Sequence, residues 1–179
     1  GSGKSAQPFK TVNDYDNFIS RTDGFVAWMD SAIAAMRKGI KQGITLPKVI
    51  AKKLLPQVQA HVVTDATESI YWMPITNIPG DIKASDKTRI TSDYQAMVMK
   101  TLVPVYQRLA TFLKDEYIPH ARQSIGYTSL PDGKKWYEYA IKTHTTLDLN
   151  AAAIHQIGLD EVSRILGEMK AVKEEVKFD

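Results

Sequence analysis

One apolar stripe constrains this chain more than any other feature. Ile90, Tyr94, Met97, Val98, Leu102, Val105, Leu109, Phe112 and Leu113 recur at spacings close to three and four, which puts them on one face of a helix and not on the alternating faces of a strand. A stripe of that length must be covered by other elements, so the rest of the chain has to supply helices with apolar faces of their own. Ser85 is expected to cap this helix, and Pro104 is expected to bend it.

The flanking sequence supplies those helices. Residues 13–22 place Tyr15, Phe18, Ile19 and Thr22 on one face. From about Gly24 to Gln42, Phe25, Trp28, Met29, Ala32, Ile33, Met36 and Ile40 follow the same spacing, and Gly43 provides a stop. Thr45 reads as an N-cap with Pro47 in the first turn of a helix through Val49, Ile50 and Leu54, which Pro56 must kink or end. Pro74, Pro79 and Gly80 mark a loop over 72–84, and Gly126 through Gly133 mark another over 124–134. Residues 135–143 are open between helix and strand, with helix preferred. Asn150 caps a last helix with the stripe Ile154, Leu159, Val162, Ile165, Met169, Val172 and Val176. The expected architecture is all-α, an irregular bundle of about five to seven helices of unequal length, one of them long and kinked at proline. A flexible N-terminus over 1–12 precedes a helical domain over 13–179.

A chain of 179 residues is long enough to bury a core. It has no cysteine, which excludes disulfides, zinc fingers and a thiol nucleophile. No apolar run is long enough to span a bilayer. GSGKSAQPFK lacks an apolar signal core, so no secretory leader is expected within this chain. The net charge of +3 conceals an asymmetry, with 9 Lys and Arg against 4 Asp and Glu in residues 1–60. No acid lies between Asp30 and Asp65, where Arg37, Lys38, Lys41, Lys48, Lys52 and Lys53 all fall. Without aromatic residues among them for base stacking, these cations read as a solvated face meeting an acidic neighbour and not as a nucleic-acid surface.

No catalytic motif is complete. GSGKS lacks the first glycine of a phosphate-binding loop, no strand precedes it, and Pro8 follows where a helix should grow. A zinc site on one helical turn would need HExxH or a relative. Here His144 has Asp148 four residues on and His155 has Glu161 six residues on, and neither makes a ligand set. Ser124 and Ser129 have no base at motif spacing. Asp115 and Glu116 are adjacent and cannot face one another as a carboxylate pair. No catalytic and no metal-ligating residue is assigned.

From Tyr117 onward the sequence is more specific. Tyr117, Pro119, Ala121 and Arg122, then Gly126, then Leu130-Pro131-Asp132-Gly133, the aromatic pair Trp136 and Tyr137, His144-Thr145-Thr146, and Ile154, His155, Gly158, Leu159, Glu161 and Val162 together resemble a bacterial domain-of-unknown-function family, number 885. Earlier pieces, Arg37-Lys38-Gly39-Ile40 with Gly43, Leu46 and Pro47, and the loop around Pro74 and Pro79, extend the resemblance over most of residues 9–175.

The resemblance implies a mostly helical protein of several hundred residues, a secreted protein or lipoprotein of the bacterial cell envelope or periplasm. It also implies a zinc-dependent peptidase of the gluzincin type whose HExxH-like motif lies in a later part of the parent chain. On that reading this chain is a helical, non-catalytic fragment with no cofactor of its own, zinc belonging to the full-length parent. It would form one wall of a peptide-substrate cleft, and its partner would be the remainder of the parent chain. Tyr127, His144, Thr145 and Thr146 are the candidate cleft-lining residues, offering donors and acceptors to a peptide backbone. For His-Thr-Thr the alternative is a helix-end turn whose hydroxyls satisfy loose backbone groups. A competing reading is a stand-alone helical interaction module that uses the 37–53 basic patch or an exposed apolar stripe. Self-association of a fragment with an uncovered apolar face is also expected.

Overall fold

In the computed structural model, which describes residues 7–177, α1 (Val12–Ser20) starts on a reciprocal cap. The Asp14 amide donates to the Thr11 hydroxyl and the Thr11 amide donates to the Asp14 carboxylate at 2.8 Å, so two amides that the helix leaves unpaired are satisfied together. The GSGKS string lies outside the described residues. Phe9 packs its ring on Tyr15 and Phe18.

A single residue, Arg21, separates α1 from α2 (Thr22–Lys41), which stops where Gly43 turns to a φ of 70°. The next helix, α3 (Lys48–Gln59), contains Pro56 and ends three residues after it. Thr45 does not cap α3, contrary to expectation. Its buried hydroxyl accepts the Arg122 amide at 3.0 Å, its carbonyl accepts Arg122 Nε at 2.9 Å, and the Lys48 amide donates to the Arg122 carbonyl at 2.7 Å. The Leu46 amide completes this clamp by donating to the Tyr117 hydroxyl at 2.8 Å. The groups a cap would have satisfied are taken by residues about seventy positions away.

Short turns at Ala66–Glu68, Ile70–Trp72 and Met73–Thr76 lead to α4, an unbroken run over 84–120 made of Ala84–Ala96, Met97–Leu102, Val103–Phe112, Leu113–Tyr117 and Ile118–His120. It starts at Ala84 after Lys83 without a side-chain cap, so Ser85 lies inside the first turn. Pro104 and Pro119 are both accommodated in the same way. Each follows, two residues on, a π-helical stretch, Met97–Leu102 and Leu113–Tyr117. Proline removes one donor and crowds the preceding carbonyl, and a widened turn relieves that clash without ending the helix. The helix therefore runs on through Pro119, where the sequence pattern had its apolar stripe end at Leu113.

Two further helices follow: α5 (Gly133–Thr145), which settles 135–143 as helix, and α6 (Ala151–Glu175). The Asn150 side chain caps α6 by accepting the Ala153 amide at 2.8 Å. Among the described residues there are thus six helices and no strand, with one isolated bridge between Pro47 and Arg122. The fold is all-α, with one long helix bent at its prolines.

The chain divides into two compact units, one ending at Ser124 and one beginning at Ile125. In the first, α4 serves two apolar clusters. Its Ile90, Tyr94, Met97, Val98 and Leu102 pack with Tyr15 of α1, Ala66 and Ile82. Its Val105, Phe112, Leu113 and Tyr117 pack with Met29 and Ile33 of α2 and Ala51 and Val58 of α3. The π turn at Met97–Leu102 falls where one cluster gives way to the other. One extra residue in a turn rotates the following face by about 100°, which re-aims the stripe from one set of partners to the next.

Leu113 is fully buried, so Leu113→Ala is expected to cost about 3 kcal/mol in urea unfolding. Tyr94 is also fully buried, and its hydroxyl meets no hydrogen-bond partner among the described residues. Tyr94→Phe is therefore expected to raise stability by about 1 kcal/mol, since the change removes a desolvated hydroxyl and keeps the ring.

Candidate functional site

The motif residues of the second unit are arranged around α5. Tyr127–Ser129 forms one tight turn, and Leu130-Pro131 leads to Asp132 at a φ of 52°. Gly133 must lack a side chain, because a Cβ there would collide with the Tyr127 carbonyl. Its amide donates to the Leu130 carbonyl at 2.8 Å. The Leu-Pro-Asp-Gly string is thus the device that folds the Tyr127 turn against the start of α5.

At the other end, α5 closes on Thr146, whose φ is 61° and whose amide donates to the Lys142 carbonyl at 2.8 Å. A β-branched residue in the left-handed region is uncommon and costs about 1–2 kcal/mol. The Thr145 hydroxyl donates to the Ile141 carbonyl at 2.8 Å and accepts the Leu147 amide at 3.2 Å, so it is occupied in shaping this helix end. His144 lies exposed in the last turn, and Lys142 pairs with Asp148 at 2.7 Å. His144, Thr145 and Thr146 are therefore neighbours at one end of α5. Tyr127 is exposed at the other end, about 17 Å away by the helical rise over that span. The structure brings three of the four candidate residues together and keeps the fourth apart.

Among the described residues, no three His, Cys, Asp or Glu side chains are placed to hold a metal ion. His144 ends α5, and His155 is exposed on α6. No helix among the described residues is long and apolar enough to cross a membrane.

What sequence spacing could not reveal is an aromatic group in the first unit. His61 stacks on Tyr106 with ring centroids 4.3 Å apart, and the Tyr71 and Tyr106 hydroxyls share a hydrogen bond of 2.6 Å. Burial lowers the His61 pKa from its ordinary 6.5 and raises that of Tyr106. Beside them a groove of about 290 Å³ is lined by Phe18, Arg21, Thr22, Phe25, Tyr71 and Leu102. The members come from α1, α2, the 61–71 region and α4, separations that no local motif records.

Three comparisons bear on this geometry. The protein-family model described as "Bacterial protein of unknown function (DUF885)" matches residues 2–179. A solved structure described as a "putative lipoprotein" from Colwellia psychrerythraea superposes with a TM-score of 0.80 at 24% sequence identity, covering 94% of this chain and 29% of that one. That likeness is one of fold, and this chain spans under a third of the neighbour's length. No curated protein matches the chain.

The His61 environment sets a pH dependence. A histidine whose folded pKa lies below its unfolded value binds its proton more readily when unfolded, so stability is complete above about pH 6.5 and falls as pH drops toward the folded pKa. Lowering the pH from about 7.5 to about 5.5 is expected to lower the melting temperature. His61→Phe, which keeps the stacking on Tyr106, is expected to flatten that part of the curve. The carboxylates Asp14, Asp65 and Glu116, all with lowered pKa values, contribute their loss only at more acid pH.

Proposed function

This chain belongs to the bacterial protein family of unknown function DUF885, and from that premise we propose that it is the helical, non-catalytic part of a larger envelope protein, in which the end of α5 forms one wall of a peptide-binding cleft. The observation that carries this reading is α6. None of its residues is buried, and Leu159, Val162, Ile165, Leu166, Met169, Val172 and Val176 are each between 44% and 64% exposed. Val162, Ile165, Met169, Val172 and Val176 follow at steps of three and four, the spacing of a helix seam that packs against another helix. A seam of that length calls for a partner surface, which the remainder of the parent chain supplies.

Strain at the motif residues supports the cleft assignment. Asp132 and Thr146 hold left-handed backbones at the two ends of α5, and such outliers concentrate where a site must be held in shape. His144 and Thr146 would present donors and acceptors to an extended peptide, while Thr145 keeps the turn rigid. The zinc-dependent peptidase activity expected from the resemblance would rest on residues of the parent outside this chain. The envelope location accords with the lipoprotein description of the structural neighbour.

The test is to express this chain and the remaining polypeptide of its parent as separate pieces. The two pieces are expected to co-purify, and Val162→Glu with Met169→Glu is expected to abolish the association while leaving the isolated chain's helicity intact. In the assembled protein, His144→Ala is expected to weaken peptide binding about 10-fold, the loss of one good hydrogen bond. Pieces that ignore one another, or an association that survives both glutamates, would contradict the reading.

A further inference from the structure

A second uncovered surface lies in the first unit, around the turn between α2 and α3. Ile44, Leu46, Val49 and Ile50 are 47%, 38%, 49% and 47% exposed. On α3, Ala51 and Val58 point into the core. Val49 and Ile50 therefore lie on the outer side, with Lys52 and Lys53 three and four residues after Val49 and Lys53 three after Ile50. Lys41, at the end of α2, adds a third exposed ammonium.

Within the segment that carries this apolar spot, residues 31–64, the charges are of one sign. No acid occurs between Asp30 and Asp65, and Lys41, Lys52 and Lys53 form no ion pair among the described residues. Arg37 differs, because its guanidinium grips the Glu116 carboxylate through two bonds of 2.6 and 2.7 Å. Of the cations in the 37–53 segment, the arginine is therefore neutralised and the lysines remain available.

We propose that Ile44, Leu46, Val49 and Ile50, bordered by Lys41, Lys52 and Lys53, dock this chain on an anionic phospholipid bilayer. Branched aliphatic side chains enter the acyl boundary, while the lysine stems lie along it and leave their ammonium groups among the headgroup phosphates. Lysine suits this role better than it suits an acidic peptide. Its attraction to a charged plane needs no fixed geometry, whereas recognition of individual carboxylates favours the forked donors of arginine. Nucleic acid is a poor match, because no Phe, Trp or Tyr lies between Asp30 and Asp65 to stack on a base. The contact is peripheral and independent of the α6 seam.

The test is sedimentation of the 179-residue chain with vesicles of phosphatidylcholine alone or mixed with phosphatidylglycerol. Binding is expected only to the mixed vesicles and is expected to fall as salt is added. Lys52→Gln with Lys53→Gln should weaken it about 25-fold, roughly five-fold for each lysine removed. Val49→Ser with Ile50→Ser should weaken it about 10-fold or more. These positions are exposed, so unchanged circular-dichroism melting confirms that the variants fold. Val162→Ser with Met169→Ser on α6 should bind as the parent does. Failure to bind mixed vesicles, binding indifferent to the lysine and aliphatic changes, or loss only in the α6 variant would each overturn the proposal. Lysine-dependent capture of poly-glutamate without vesicle binding would also overturn it, and would assign the patch to an acidic protein.

Discussion

Everything in the first unit depends on covering one face of α4. Ile90, Tyr94, Val98, Val105 and Leu113 have at most 1% of their surface exposed, and no neighbouring helix could bury its own face without that run. Removing a side chain of this kind from water contributes about 2 kcal/mol, and the stripe supplies residues to both apolar clusters of the unit. Because α4 is continuous over 84–120 and is re-phased at a π turn, one helix can organise α1 at its first half and α2 and α3 at its second. The clamp between Thr45, Leu46, Tyr117 and Arg122 then ties the start of α3 to the end of α4.

The second unit is built on the opposite terms. The Tyr127 turn, Gly133 and the left-handed Asp132 and Thr146 define the ends of α5 through local hydrogen bonds and steric limits, with Gly133 and Ile141 its buried residues. On α6 only Ala153 and Ile154, near its start, are half-buried. A helix of 25 residues that buries no side chain has the spacing of a packing seam without the packing. That contrast between a satisfied unit and an unsatisfied one underlies the reading of the chain as part of a larger assembly.

Much of the fold was legible because it is periodic and local. Eight of the nine stripe residues of α4 are buried, Leu109 being partly so. Gly43 and Asn150 act where short-range chemistry places them. What was not legible is long-range. Thr45 looks like a cap in its own neighbourhood, yet it is claimed by Arg122. Pro104 promises a bend, but the widened turn that absorbs it depends on how the whole helix is packed. Of the site residues, Tyr127 and His144 fall at opposite ends of α5 because order in a motif says nothing about distance along a helix axis. His61, Tyr71 and Tyr106 meet only through tertiary packing, which single-residue patterns do not encode.

The central claim is that α6 is a face awaiting its partner, and amide hydrogen exchange reads this most directly. In the isolated chain, amides of 151–175 should exchange far faster than those of 90–113, because none of the α6 residues is buried. In the full-length parent the same amides should become as protected as those of α4. Equal protection of 151–175 in both forms, or strong protection in the isolated chain, would contradict the account.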